Sequence, residues 1–186
     1  MSVKDKRRGR PKGTSNQLNE QSIMDVAKAL MKEEGKIPSI RKLAASLGVD
    51  AMAIYHYFNN KNALLEAITT SLIEDIYDPK VGEDWKAELK TLCESYILVL
   101  HQYPGLLEIL LSMESHGPAD VFTERFNVVV QPLDLNAIAA TNALSLLADY
   151  LHGFALALNC NRELQSLDIS MLKGPLDLYC VALENA

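Results

Sequence analysis

From Pro38 to Lys61 the chain reads Pro-Ser-Ile-Arg-Lys-Leu-Ala-Ala-Ser-Leu-Gly-Val-Asp-Ala-Met-Ala-Ile-Tyr-His-Tyr-Phe-Asn-Asn-Lys. The spacing predicts two short helices joined by a glycine turn. Ser39 is a good N-cap, because its hydroxyl can accept from the orphan amides of the first turn. Ile40, Leu43, Ala44 and Leu47 follow at i, i+3, i+4 and i+7, which makes one apolar face. Gly48 stands where a left-handed residue usually ends a helix. Asp50 caps a second helix, whose stripe is Ala51, Ile54, Tyr55 and Phe58, and Asn59-Asn60 ends it. Two helices so joined are a helix-turn-helix, whose second helix enters a DNA major groove. An ordinary helical hairpin in a bundle has the same spacing, so the decision falls to the charges around it.

Those charges are segregated. The chain has 186 residues and a net charge of −6. Residues 1–62 hold 12 Lys/Arg against 6 Asp/Glu, a balance of +6, so residues 63–186 carry −12. A basic head on an acidic body suits a DNA-binding module attached to a domain that stays off DNA. Residues 1–17 are polar and basic and are expected to form a flexible arm. Within them, Arg8-Gly9-Arg10-Pro11 forms an extended strip, since Pro11 disfavours helix at Arg10. Such a strip resembles an AT-hook laid along an A·T minor groove. The alternative is a tether that touches only phosphates.

Leu-Gly-Val-x-x-x-x-Ile-Tyr-x-Tyr-Phe-x-Asn-Lys-x-x-Leu-Leu, here Leu47 to Leu65, resembles the DNA-binding signature of the TetR/AcrR family of bacterial transcriptional regulators. The likeness runs from Leu18 to Ile68. It implies an all-α chain: a three-helix head at 18–62 behind the 1–17 arm, and a helical effector-binding and dimerisation body at 63–186. It places Ser39, Arg41, Ala51, Met52, Ala53, Tyr55, His56, Tyr57 and Lys61, together with Arg8 and Arg10 of the arm, at the duplex. Tyr55 and Lys61 match phosphate-holding positions, which give affinity but no sequence information. Arg41 is the best candidate for a bidentate contact to guanine, with a phosphate contact as the alternative. The second helix has no Arg, Lys, Gln or Asn between Ala51 and Phe58, so base reading leans on thymine contacts, His56, DNA shape and the arm.

The rest of the chain reads as helices. Asn19 caps the first, and Ile23, Val26, Ala27, Leu30 and Met31 form its stripe up to Gly35. A fourth helix runs from Asn60 to about Tyr77 and, by the resemblance, links head to body. Later helices are expected at 83–102, 105–115, 119–130, 136–160 and 170–184, the last beginning near Pro175. The resemblance also implies a small, apolar effector held in the body. Its candidate lining is Tyr77, Trp85, Tyr96, His101, Met113, His116, Phe122, Phe126 and His152, each of which ordinary packing could equally explain. A tetracycline–magnesium site is not expected, because its histidines have no counterpart here.

The 136–160 helix is apolar nearly all round, so one face needs a partner outside its own core. By the resemblance, that partner is a second subunit. Leu147, Leu151, Phe154, Leu158, Leu176, Tyr179 and Leu183 are the expected contacts, and a two-fold dimer matches a palindromic operator. The alternative is a helix buried in a monomer.

Ser145, Asp149, His152 and Asn159 interrupt that helix, which argues against a membrane span. Cys93, Cys160 and Cys180 form no metal or redox motif, and no signal peptide is read, so a cytoplasmic protein with reduced thiols and no cofactor is expected. HExxH, P-loop, GxSxG and dinucleotide glycine motifs are absent, which argues against an enzyme. An architectural DNA-binding protein without an effector is the other alternative.

Overall fold

The computed structural model describes residues 18–113, 117–161 and 166–186. Every regular element among them is helical: α1 (Glu20–Glu34), α2 (Ile40–Leu47), α3 (Ala51–Ile54), α4 (Lys61–Glu74), α5 (Trp85–Gln102), α6 (Leu106–Ser112), α7 (Gly117–Val130), α8 (Ala137–Cys160) and α9 (Lys173–Leu183). Short 3-10 turns, Gln131–Leu133 and Ile169–Leu172, precede α8 and α9.

The caps explain why helices begin where they do. Asn19 Oδ1 accepts from the Ser22 amide at 2.8 Å, while Ser22 Oγ accepts from the Asn19 amide at 3.0 Å. This reciprocal box satisfies two orphan donors at the start of α1. Ser39, Asp50, Asn60 and Asn136 accept from the first-turn amides of α2, α3, α4 and α8. Gly35 and Gly48 end α1 and α2 at φ of 65° and 66°, a region that glycine enters without a Cβ clash.

Ile23, Ala27, Leu30 and Met31 of α1 pack on Leu43 and Ala44 of α2 and on Ile54 and Phe58, forming the core of the head. That core continues into the body through Leu64, Ile68 and Leu72 of α4. Lys28 Nζ donates to Ser71 Oγ at 2.7 Å, tying α1 to α4. On the other side, the corner between α5 and α6 meets the loop after α1. A Cβ on Gly105 would approach Ile37 Cγ1 at 3.3 Å, so this corner needs glycine both for the contact and for its φ of 89°.

Helices α3, α4 and α6 are shorter than expected, α6 ending at Ser112 where Met113 turns extended. The second helix of the helix-turn-helix ends at Ile54 rather than near Phe58, because the His56 and Tyr57 amides bond to the carbonyls of Ala53 and Ile54. These i→i−3 bonds tighten the last turn while still carrying Phe58 into the core. The linking helix α4 stops at Glu74, not Tyr77, where Arg125 of α7 takes the carbonyls of Ile73, Glu74 and Ile76.

By length and composition α8 could cross a bilayer, with a mean hydropathy of 1.3. Its side chains divide instead between two surroundings. Ala143, Leu147, Leu151, Ala155 and Leu158 line one buried face against the body, while Leu146 stands 62% exposed.

Candidate nucleic-acid interface and internal cavity

The head presents a surface with little reason to be there on stability grounds. Met52 is 66% exposed at the start of the helix-turn-helix's second helix. Tyr55, His56 and Tyr57 follow it to the surface, while Ile54 and Phe58 turn inward. Ala51 and Ala53 are half-buried beside them. Arg41 is exposed on α2 next to Lys42, which pairs with Glu34 at 3.0 Å and is held above the usual lysine range by that hydrogen bond. Lys61 is the first residue of α4. A cation there opposes the positive end of the helix dipole, a cost of about 0.3–1 kcal/mol, and no ion pair among the described residues offsets it.

Tyr57 has a second attachment. Its hydroxyl donates to the Leu18 carbonyl at 2.7 Å. This bond ties Leu18, just before α1, to the surface beside α3. Arg8 and Arg10 lie outside the described residues.

The body holds a cavity of about 250 Å³ between α5, α6, α7 and α8. Tyr96 and Phe122 form its aromatic wall, with ring centroids 4.7 Å apart, in the range for tilted aromatic pairs. His152 reaches in from α8, its Nε2 2.9 Å from Tyr96 Oη. Burial pushes the Tyr96 phenol up and the His152 imidazole down, the latter partly offset by Asp149. Both groups are therefore uncharged at neutral pH. Leu110, Leu144 and Ala148 supply apolar wall, while Thr123 and Ser145 supply hydroxyls.

Only Tyr96, Phe122 and His152 of the expected pocket residues line this cavity. Tyr77 belongs to a different feature. Its hydroxyl donates to both Glu88 carboxylate oxygens, at 2.9 and 3.0 Å, and Glu88 also accepts from the Lys80 amide at 2.6 Å. That buried carboxylate closes the loop between α4 and α5, and Trp85 begins α5 at the same end. His101 lines a separate hollow with Leu167 and Asp168. Phe126 is sealed in the core, Met113 ends α6, and His116 lies outside the described residues.

Burial divides the expected dimer contacts. Leu147, Leu151, Leu158, Leu176 and Leu183 are buried within the subunit, so they hold α8 and α9 to their own body. Phe154 and Tyr179 keep a surface share. The open face is an apolar groove of about 300 Å³ between the two helices, lined by Leu146, Tyr150, Leu178 and Ala182 together with Leu147 and Tyr179 from the expected set. Sequence reading did not single out Leu146, Tyr150 or Leu178 on this face, because α8 is apolar all round.

It also missed Arg125. The signal was an arginine set between Phe122 and Phe126 in an otherwise acidic, apolar stretch.

Residues 23–68 match the model of the bacterial regulatory proteins of the tetR family, and residues 78–170 match that of the tetracyclin repressor-like C-terminal domain. The class D tetracycline repressor of Escherichia coli is 34% identical over 91 residues, 46% of this chain and 41% of that protein. The chain thus matches less than half the length of such curated relatives. Among solved structures, Streptomyces coelicolor ActR in complex with actinorhodin aligns with a TM-score of 0.78 at 17% identity, covering 91% of this chain and 96% of that one. Mycobacterium smegmatis BioQ gives 0.76 at 18%, covering 91% and 99%. BioQ with its double-stranded DNA operator gives 0.74 at 19%, covering 91% and 100%.

Proposed function

Because this chain belongs to the TetR family of bacterial regulatory proteins, we propose that it is a transcriptional repressor that binds a palindromic operator as a homodimer and is released by a small effector. The observation that carries this is the joining of two features by one helix. An exposed helix-turn-helix head, with Arg41 and Lys61 on its surface, sits at one end of α4, and an apolar cavity lies among the body helices that pack on its other end. The division falls between residues 18–62 and 63–186.

In this reading α3 enters the major groove. Ala51, Met52 and Ala53 meet base edges with His56, Arg41 reads guanine, and Ser39, Tyr55, Tyr57 and Lys61 hold phosphates. Arg8 and Arg10 lie in the neighbouring minor groove. The dimer forms through the groove between α8 and α9, since an exposed apolar face on a water-soluble regulator needs a partner, and a symmetric copy supplies one. The protein acts in the cytoplasm, where its operator is, and performs no chemistry.

The effector works by preference for one head arrangement. The cavity and the DNA-facing residues are separate sites, so a ligand shifts DNA affinity only by binding one conformation better than the other. Footprinting on duplexes selected from a random library tests the core of the proposal. A protected palindrome is expected, with a log–log salt slope gaining about 0.9 for each phosphate neutralised. Uniform protection with no preferred site would favour the architectural alternative. Lys61→Ala should weaken all sequences alike, whereas Arg41→Ala should cost about 1–3 kcal/mol at one base pair.

A further inference from the structure

We propose that the cavity between α5 and α8 takes an uncharged hydroxylated aromatic molecule of one or two fused rings, held by the Tyr96–His152 pair. The inference rests on the effector-binding reading above and gives that effector a chemical class. Four observations lead to it.

The first is charge. No Lys, Arg, Asp or Glu lines the cavity among the described residues. An ionised ligand that lost its hydration there would gain no counter-ion from these residues, a penalty of several kcal/mol in real proteins. The second is size. At about 250 Å³ the space falls just below the usual range for drug-sized ligands, which leaves room for one or two rings. The third is the wall. The Tyr96 ring lies 4.7 Å from Phe122 and 6.0 Å from His152, tilted by 46° and 45°. Such a concave set of π faces favours a planar ring in offset or edge-to-face contact.

The fourth is the hydrogen bond. Among the described residues Tyr96 Oη has His152 Nε2 as its partner, at 2.9 Å. If the phenol donates to the imidazole, its oxygen still has lone pairs to accept from a ligand. If the imidazole donates to the phenol, the phenolic O–H is left to give. A ligand carbonyl answers only the second tautomer. A ligand hydroxyl donates in one case and accepts in the other, so it suits the pair whichever tautomer is present.

Calorimetry on the full chain at neutral pH, with 2-naphthol, naphthalene and 2-naphthoate as probes, tests this. We expect 2-naphthol to bind about three- to tenfold more tightly than naphthalene, the value of one net hydrogen bond. The anionic 2-naphthoate should bind at least roughly a hundredfold more weakly than 2-naphthol. Tyr96→Phe should remove the advantage of 2-naphthol and leave naphthalene within about twofold. Ala148→Phe should fill the space and abolish both. Equal binding of 2-naphthol and 2-naphthoate would overturn the proposal. So would the absence of 2-naphthol binding, retention of binding in Ala148→Phe, or an equal loss of 2-naphthol and naphthalene in Tyr96→Phe. Operator affinity is measured on the same samples. Selective 2-naphthol binding that leaves operator affinity unchanged supports this ligand class and counts against the effector role. A protein that binds its operator but not 2-naphthol loses only the ligand class.

Discussion

Arg125→Met should destabilise the protein by about 2–3 kcal/mol, although it removes no more than a guanidinium from the side of the body. The magnitude follows from what that group holds. Arg125 Nη1 donates to the Ile76 carbonyl at 2.7 Å and to the Ile73 carbonyl at 3.3 Å, and Nη2 donates to the Glu74 carbonyl at 2.8 Å. These carbonyls lie at the C-terminal end of α4, where the helix's own amides run out. Hydrogen bonds to a charged group are worth about 1.5–3 kcal/mol each, and a cation at a helix C-terminus adds up to about 2 kcal/mol when partly buried. These contributions share one guanidinium and do not add, and water can reach the Glu74 carbonyl once the arginine is gone, so the lower part of the range applies. Asp78, 3.8 Å from Nε and 88% exposed, adds little. Methionine keeps the aliphatic stem that packs between α7 and α4. Urea unfolding followed by circular dichroism should show a lower midpoint with an unchanged slope. Arg125→Lys, which keeps the charge but loses the fork, should fall between the two. A loss under about 0.5 kcal/mol in Arg125→Met, or Lys and Met variants that cannot be told apart, would refute the idea that the fork organises the end of α4.

Three further outcomes are expected. Leu178→Glu should dissociate the dimer while leaving the subunit folded, because Leu178 is 73% exposed beside the α8–α9 groove. Leu151→Glu, at 0% exposure, should instead unfold the subunit, and light scattering with circular dichroism separates the two results. The arm should supply an A·T preference: replacing Arg8 and Arg10 by lysine keeps the charge but should weaken A·T-flanked operators more than G·C-flanked ones in gel-shift titrations. Equal weakening would reduce the arm to an electrostatic tether. Finally, burial holds His152 below its ordinary value of 6.5, so the unfolded chain takes up that proton first as the pH falls. Stability from this site should be flat above that value and decline below it, and His152→Gln should flatten the decline in urea midpoints measured down to about pH 5.

How much of this molecule was legible without coordinates depended on the range of the interaction concerned. Asn19, Ser39 and Asp50 could be read as caps because each bonds amides two or three residues away, and Gly35 and Gly48 because their backbone conformation is a local cost. The head was therefore nearly complete in the sequence, down to Ile54 and Phe58 facing inward. Periodicity failed on α8, where leucines occupy every face and only packing against α5, α6 and α7 selects Leu147 and Leu151 as core and leaves Leu146 outside. It failed again at the cavity. Tyr96 and His152 are 56 positions apart, and Tyr77 looked equally suited until Glu88 claimed its hydroxyl. The grip of Arg125 on carbonyls 49 to 52 positions away is of the same kind. Hydrogen bonds within a turn are written in the order of residues. A partner brought in from another helix is chosen by the close packing of the whole body, and no local pattern records that choice.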